Sequence, residues 1–105
     1  MKWNIIIHPD AVTELNQLPP DMKAKLTRLL ELIQQVGPLG LREPHVKNLG
    51  NKLWEIRLSG RDGISRVIYG VFSQKKLGLL HAFIKKTQKT PKQAIECALK
   101  RLKEI

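Results

Sequence analysis

Apolar residues recur along the chain with two periods, and each stretch is closed by proline, glycine or a short polar run. Trp3, Asn4 and the three isoleucines that follow form a β-branched run that predicts a strand over 3 to 7. His8-Pro9-Asp10 then predicts a helix start, because proline fits the first helical position and an acidic side chain favours the first turn. Ala11, Leu15 and Leu18 mark its buried stripe until Pro19-Pro20-Asp21 breaks it and opens a second helix. There Met22, Leu26, Leu29, Leu30 and Ile33 fall at helical spacing, and Gly37-Pro38 ends the pattern. The two helices are expected to form an antiparallel hairpin.

After a stretch from 37 to 51 that reads as loop, punctuated by Gly37, Pro38, Gly40, Pro44 and Gly50, the period falls to two. Three strands are predicted, over 53 to 59, 64 to 73 and 77 to 86. Gly60-Arg61-Asp62-Gly63 and Gln74-Lys75-Lys76 supply the turns of an antiparallel meander. The last element is a helix with Thr90 as N-cap, Pro91 next and Gln93 completing a capping box. Ala94, Ile95, Ala98, Leu99 and Leu102 form its apolar face, with Lys100, Arg101 and Lys103 outside it. The order β-α-α-β-β-β-α predicts one α+β domain over residues 1–105, a small, mainly antiparallel sheet with a helical hairpin on one face and a C-terminal helix.

Composition agrees with a single packed domain: 105 residues, 42% of them apolar. No stretch approaches the roughly 18 apolar residues of a membrane span. The opening MKWNIIIHPD has too short an apolar run for an export signal, and the lone Cys97 excludes an internal disulfide and suits a reducing cytoplasm. Charge changes the picture more. The net charge is +10; residues 1–44 hold five bases and five acids, whereas residues 45–105 hold fourteen bases and four acids. A one-sided basic excess implies a polyanionic partner, usually nucleic acid.

Strand parity places the chemistry. Trp54, Ile56 and Leu58 alternate with Glu55, Arg57 and Ser59, giving one apolar and one chemical face. A turn centred on Arg61-Asp62 sets Arg57 opposite Arg66, Glu55 opposite Ile68 and Trp54 opposite Tyr69. A turn centred on Lys75-Lys76 sets Arg66 opposite Lys85, Ile68 opposite Phe83 and Gly70 opposite His81. The expected result is a row of three cations, Arg57, Arg66 and Lys85, which calls for an anion because like charges directly opposite each other repel. Glu55 and His81 are expected on the same face as a base and acid pair, with Gly70 leaving room for a ligand above the sheet. His8, His45 and His81 have no metal-ligand spacing, and neither a P-loop nor a nucleophile elbow is present, so no metal or cofactor is expected.

The segments LWEIRLSGRDGISRVIYGVF and LLHAFIKKTQKTPKQAIECALKR resemble toxins of the RelE superfamily, and more narrowly the phage Gp49-like, HigB-type toxins of type II toxin–antitoxin modules. The resemblance spans nearly the whole chain. It implies a metal-independent, ribosome-dependent mRNA endoribonuclease of the cytoplasm that activates a ribose 2′-OH against the adjacent phosphate. Its implied partners are a helix-turn-helix, HigA-like antitoxin, the ribosome and mRNA, with no membrane. Arg57, Arg66 and Lys85 would grip the scissile phosphate and Glu55 or His81 would move protons. Lys52, Arg61, Lys86, Lys89 and Lys92 would extend the RNA-binding surface. Some members use a tyrosine near the C-terminus; here none follows Tyr69. Two other outcomes remain open at this point, a ParE-like gyrase poison and a non-catalytic nucleic-acid-binding module.

Overall fold

One edge of the sheet is β1 (Asn4–Ile7), which pairs in parallel with β5 (Lys76–Ile84). Between β1 and the rest of the sheet the chain makes α1 (Pro9–Asn16) and α2 (Pro20–Val36). β2 (Val46–Gly50), β3 (Leu53–Gly60) and β4 (Gly63–Phe72) then run antiparallel, and α3 (Lys92–Glu104) closes the fold. The strand order is β1-β5-β4-β3-β2. This computed structural model describes residues 3–37, 46–72, 75–84 and 90–105.

Local rules account for most boundaries. The His8 ring caps α1 by accepting from the Asp10 N–H at 3.1 Å, with Pro9 as the first helical residue. Leu18 is buried as expected but lies in the turn after α1. Gly37 ends α2 at φ 83°, and a Cβ there would stand 2.6 Å from Trp3 Nε1, so both backbone and space require glycine.

β2 is a departure from the loop expected there. Its turn to β3 uses Asn51 and Lys52, both at positive φ (53° and 67°), the backbone of a two-residue hairpin turn of the primed kind. Asn-Lys is a weak signal for that turn, and a register shift between Asn48 and Gly50 breaks the strand's alternation.

The β3–β4 register is the expected one: Arg57 faces Arg66, Glu55 faces Ile68 and Trp54 faces Tyr69. The β4–β5 register is not. Arg66 faces Phe83 rather than Lys85, Ile68 faces His81, and Gly70 faces Gly78. Phe72 pairs with Lys76, three positions short of the expected partner, and the bulge of Leu80 between Leu79 and His81 restores one of them, so that Arg66 meets a residue two positions short of Lys85.

The sheet therefore has two differently built faces. On one, Leu18, Met22, Leu26 and Ile33 pack against Ile56, Leu58, Val67, Tyr69, Leu77 and Leu79. On the other, α3 lays Ala94 and Ala98 over Leu53, Ile68 and Leu80. This second face is the one that carries Glu55, Arg57, Arg66 and His81.

Candidate functional site

Alternation along β3 and β4 sends Glu55 and Arg66 to the α3 face, and both are completely buried there. Burial of this kind is tolerated only when the charges meet one another and their remaining donors and acceptors are used. Arg66 Nη1 lies 2.8 Å from Glu55 Oε1, close enough for an ion pair though off-axis for a hydrogen bond. Thr90 completes the arrangement: its hydroxyl accepts from Arg66 Nη1 and donates to Glu55 Oε2. Thr90 is consequently not the helix cap expected of it. Pro91 occupies the N-cap position with no side-chain hydrogen bond, because the buried ion pair is the more demanding partner for the hydroxyl.

Arg57 stands at the border of this cluster. Its Nε is buried, 3.7 Å from Glu55 Oε1, and makes no hydrogen bond among the described residues, while about a third of the side chain (35%) is exposed. Arg57 thus joins the buried pair to the surface.

A second cluster lies across the same face. Glu14 of α1 takes His81 Nδ1 at 2.9 Å, Arg101 Nη1 at 2.8 Å and the Ala82 N–H at 3.1 Å on one oxygen. Arg101 also donates to the Leu80 carbonyl at 2.9 Å, satisfying a backbone group beside the bulge. Burial pushes the Glu14 carboxyl upward, but the hydrogen bonds from Arg101, His81 and Ala82 outweigh it and hold the pKa below its ordinary value. The His81 ring stacks on Phe83 with centroids 5.2 Å apart. At the far end of α3, Glu104 accepts from His8 Nε2 at 2.7 Å.

Glu55 and His81 share a face, as expected, but they are not a pair. Ile68 stands between them across two strand spacings, roughly 10 Å, and each is committed to its own cluster. The space foreseen over Gly70 is filled: Leu102 of α3 approaches so closely that a Cβ on Gly70 would meet it at 2.8 Å. Nor do three cations stand in a row, since Phe83 takes the place opposite Arg66. Lys85, Lys86 and Lys89 lie outside the described residues, as does His45.

Of the outer cations, Lys52 and Arg61 are exposed in turns at opposite ends of β3, roughly 30 Å apart at strand rise, so they cannot serve one phosphate. Lys92 is exposed at the start of α3, 4.0 Å from Glu96. Cys97 is half-buried, and burial pushes its thiol pKa up, away from the thiolate a nucleophile needs. Among the described residues no three His, Cys, Asp or Glu side chains are grouped to hold a metal. Three residues were missed from sequence: Glu14, Arg101 and the true role of Thr90. Only Thr90 carried a signal, and local capping logic pointed it elsewhere.

A protein-family model described as phage-derived, Gp49-like matches residues 13–103. No curated protein sequence matches the chain. Among solved structures, a double mutant of the Escherichia coli toxin RelE in the free state superposes with TM-score 0.69 at 16% identity, covering 97% of this chain and 99% of that one. A chain of the archaeal RelE–RelB complex from Pyrococcus horikoshii is similar at TM-score 0.59 and 25% identity, over 80% and 96% of the two chains. A chain of the RelBE2 toxin–antitoxin complex from Mycobacterium tuberculosis gives 0.57 and 14%, over 81% and 100%.

Proposed function

Because the chain belongs to the phage-derived Gp49-like family and has the fold of RelE toxins, we propose that it is the toxin of a type II toxin–antitoxin pair and cuts mRNA on the ribosome in the cytoplasm. The observation that carries this reading is the Glu55–Arg66 pair with Arg57 at its mouth: one carboxylate and two guanidinium groups within one cluster. Attack of a 2′-oxygen on the neighbouring phosphate needs a base for its proton and cations for the charge that builds on the phosphoryl oxygens. Arg57, with about a third of its side chain exposed (35%), offers its guanidinium to a phosphate, and Arg66 stands opposite it on β4.

Of the two proton-transfer candidates, Glu55 sits with Arg57 and Arg66, and His81 does not. Glu55 takes the 2′-OH proton as the O2′–P bond forms, the P–O5′ bond breaks to leave a 2′,3′-cyclic phosphate, and water protonates the departing 5′-oxygen. His81, held by Glu14 and Arg101, positions α3. Glu55 becomes reachable when Thr90 and the start of α3 lift, and Lys85, Lys86 and Lys89, which immediately precede Thr90, follow the RNA. An antitoxin partner, which both RelE-like complexes above possess, silences the protein by fixing α3 or covering the basic surface; a helix-turn-helix, HigA-like protein fits this role.

A binding-only reading also has an observation in its favour, the Thr90 hydroxyl bridging both members of the buried pair. Primer extension on mRNA in a reconstituted translation system separates the two. Cuts are expected with ribosomes and not on naked mRNA, with chelator present throughout. Glu55→Gln and Arg57→Ala should each lower cleavage by about 10²- to 10³-fold, the usual cost of one preorganised contact. Intact mRNA alongside inhibited gyrase supercoiling would overturn the nuclease reading in favour of a ParE-like toxin; RNA binding without cuts would leave a binding module.

A further inference from the structure

Counting charges along the chain assigns the whole basic excess to its second part, yet the fold carries two cations of the neutral first part to Arg57. Lys25 and Arg28, one turn apart on α2, line a groove with Arg57, Leu29, Leu58 and Ser59. We propose that this groove is a second binding site, a track for the backbone of single-stranded RNA leading to Arg57. The proposal rests on the RNA reading above and places a subsite outside the buried cluster.

Four observations converge on it. The groove is lined by three cations and no carboxylate, around an apolar floor and a volume of about 250 Å³. Lys25 donates to the Ser59 carbonyl, and among the described residues neither Lys25 nor Arg28 has a carboxylate within ion-pairing distance. Asp21, one turn before Lys25 on α2, is committed to the Arg61 and Met22 N–H groups; the Arg61 contact leads in holding its pKa below the ordinary value, and the Lys25 charge adds a smaller part. Finally, β2 pairs with β3 only as far as Ile56, so along 57–59 that edge has no strand partner among the described residues.

Like charges gathered around one groove repel unless a polyanion lies among them. Half-buried Leu29 can receive ribose or base edges while Lys25, Arg28 and Arg57 meet successive phosphates. With no aromatic platform in the groove, binding there is expected to be tolerant of sequence.

The test is binding of a 2′-O-methyl RNA oligonucleotide, which cannot be cleaved, across a salt series. Lys25→Ala with Arg28→Ala is compared with a charge-matched pair, Lys23→Ala with Lys103→Ala, whose residues lie outside the groove. Losing two phosphate contacts should weaken binding and flatten the log–log salt slope by roughly 0.7 per contact; the control should bind like the parent. Lys25→Met, which keeps the side-chain stem, covers the case in which the alanine pair unfolds, and should flatten the slope by one contact. Equal slopes in groove and control variants would overturn the proposal. So would a loss confined to duplex DNA or to an acidic peptide. Because the probe reports no cleavage, a groove that binds while mRNA stays intact overturns only the nuclease reading, and normal cleavage with unchanged slopes overturns only the groove.

Discussion

The two faces of the sheet solve the same packing problem with different forces. Under α2, buried Leu18, Met22, Leu26 and Ile33 meet a continuous apolar surface, and the chief polar oddity is the Tyr69 hydroxyl, buried without a hydrogen bond among the described residues. Under α3 the fully buried side chains are only Ala94 and Ala98, and Ile95, Leu99 and Leu102 pack on Leu53, Ile68 and Leu80 while staying partly exposed. Polar contacts do much of the attachment, at Thr90 with Glu55 and Arg66, at Arg101 with Glu14 and the Leu80 carbonyl, and at Glu104 with His8. Apolar burial is non-directional and keeps its strength when a helix shifts slightly, whereas each polar contact is lost once its geometry fails. The α2 face is therefore expected to act as scaffold, and α3 to be the helix that opens.

The largest expected effect tests the charged face. Glu55→Ala leaves the Arg66 guanidinium buried beside an empty site and should cost about 3–5 kcal/mol in urea unfolding. Replacing Glu55 and Arg66 together by methionine should restore most of that loss, which would show the pair to be kept for a reason other than stability. Failure of the double replacement to recover would mean that the ion pair itself holds the fold. On the scaffold face, Ile33→Ala should cost about 2–5 kcal/mol through lost burial and an unfilled cavity. Its effect should be insensitive to salt.

Acid should act on α3 before it acts on α2. The folded-state pKa of Glu14 lies below its ordinary 4.5, so the unfolded chain binds the proton more readily. The stability Glu14 contributes is complete above that ordinary value and is lost as pH falls through the lower folded-state value. Glu14→Gln should remove this part of the acid dependence, seen as a flatter stability curve over that window. An unchanged curve would detach Glu14 from the α3 anchorage. The smallest effect belongs to Tyr69→Phe. Burial pushes that phenol's pKa up to about 12, and deleting a hydroxyl with no described partner should change stability by no more than about 0.5 kcal/mol. A larger loss in thermal unfolding would assign the hydroxyl a partner.

How much of this was legible in the sequence differs between the faces. The helical stripes and the β3–β4 register could be read because the two-residue turn between Gly60 and Gly63 pins the pairing. Register across β4 and β5 could not: Leu77 to Ala82 contains no strict alternation, and the bulge at Leu80 has no sequence mark. β2 was hidden behind Asn48 and Gly50, residues that usually signal loops. The chemical residues Glu55, Arg57 and Arg66 were found by parity, but their burial was not, because parity gives a face and says nothing of what covers it. Thr90 had a sound local reading as a cap that a tertiary demand overrode. Glu14 and Arg101 meet His81 only through the fold, from 67 and 20 positions away.

Native-state hydrogen exchange tests most directly whether α3 is the movable helix over the Glu55–Arg66 centre. Amides of α3 should exchange through an opening that costs clearly less than global unfolding, while buried amides of α2 and β4 exchange only with the whole molecule. Glu14→Gln should speed exchange in α3 and leave α2 unchanged. Exchange of α3 at the same free energy as α2 and β4, in both proteins, would contradict the account, since no separate opening would then uncover the buried pair.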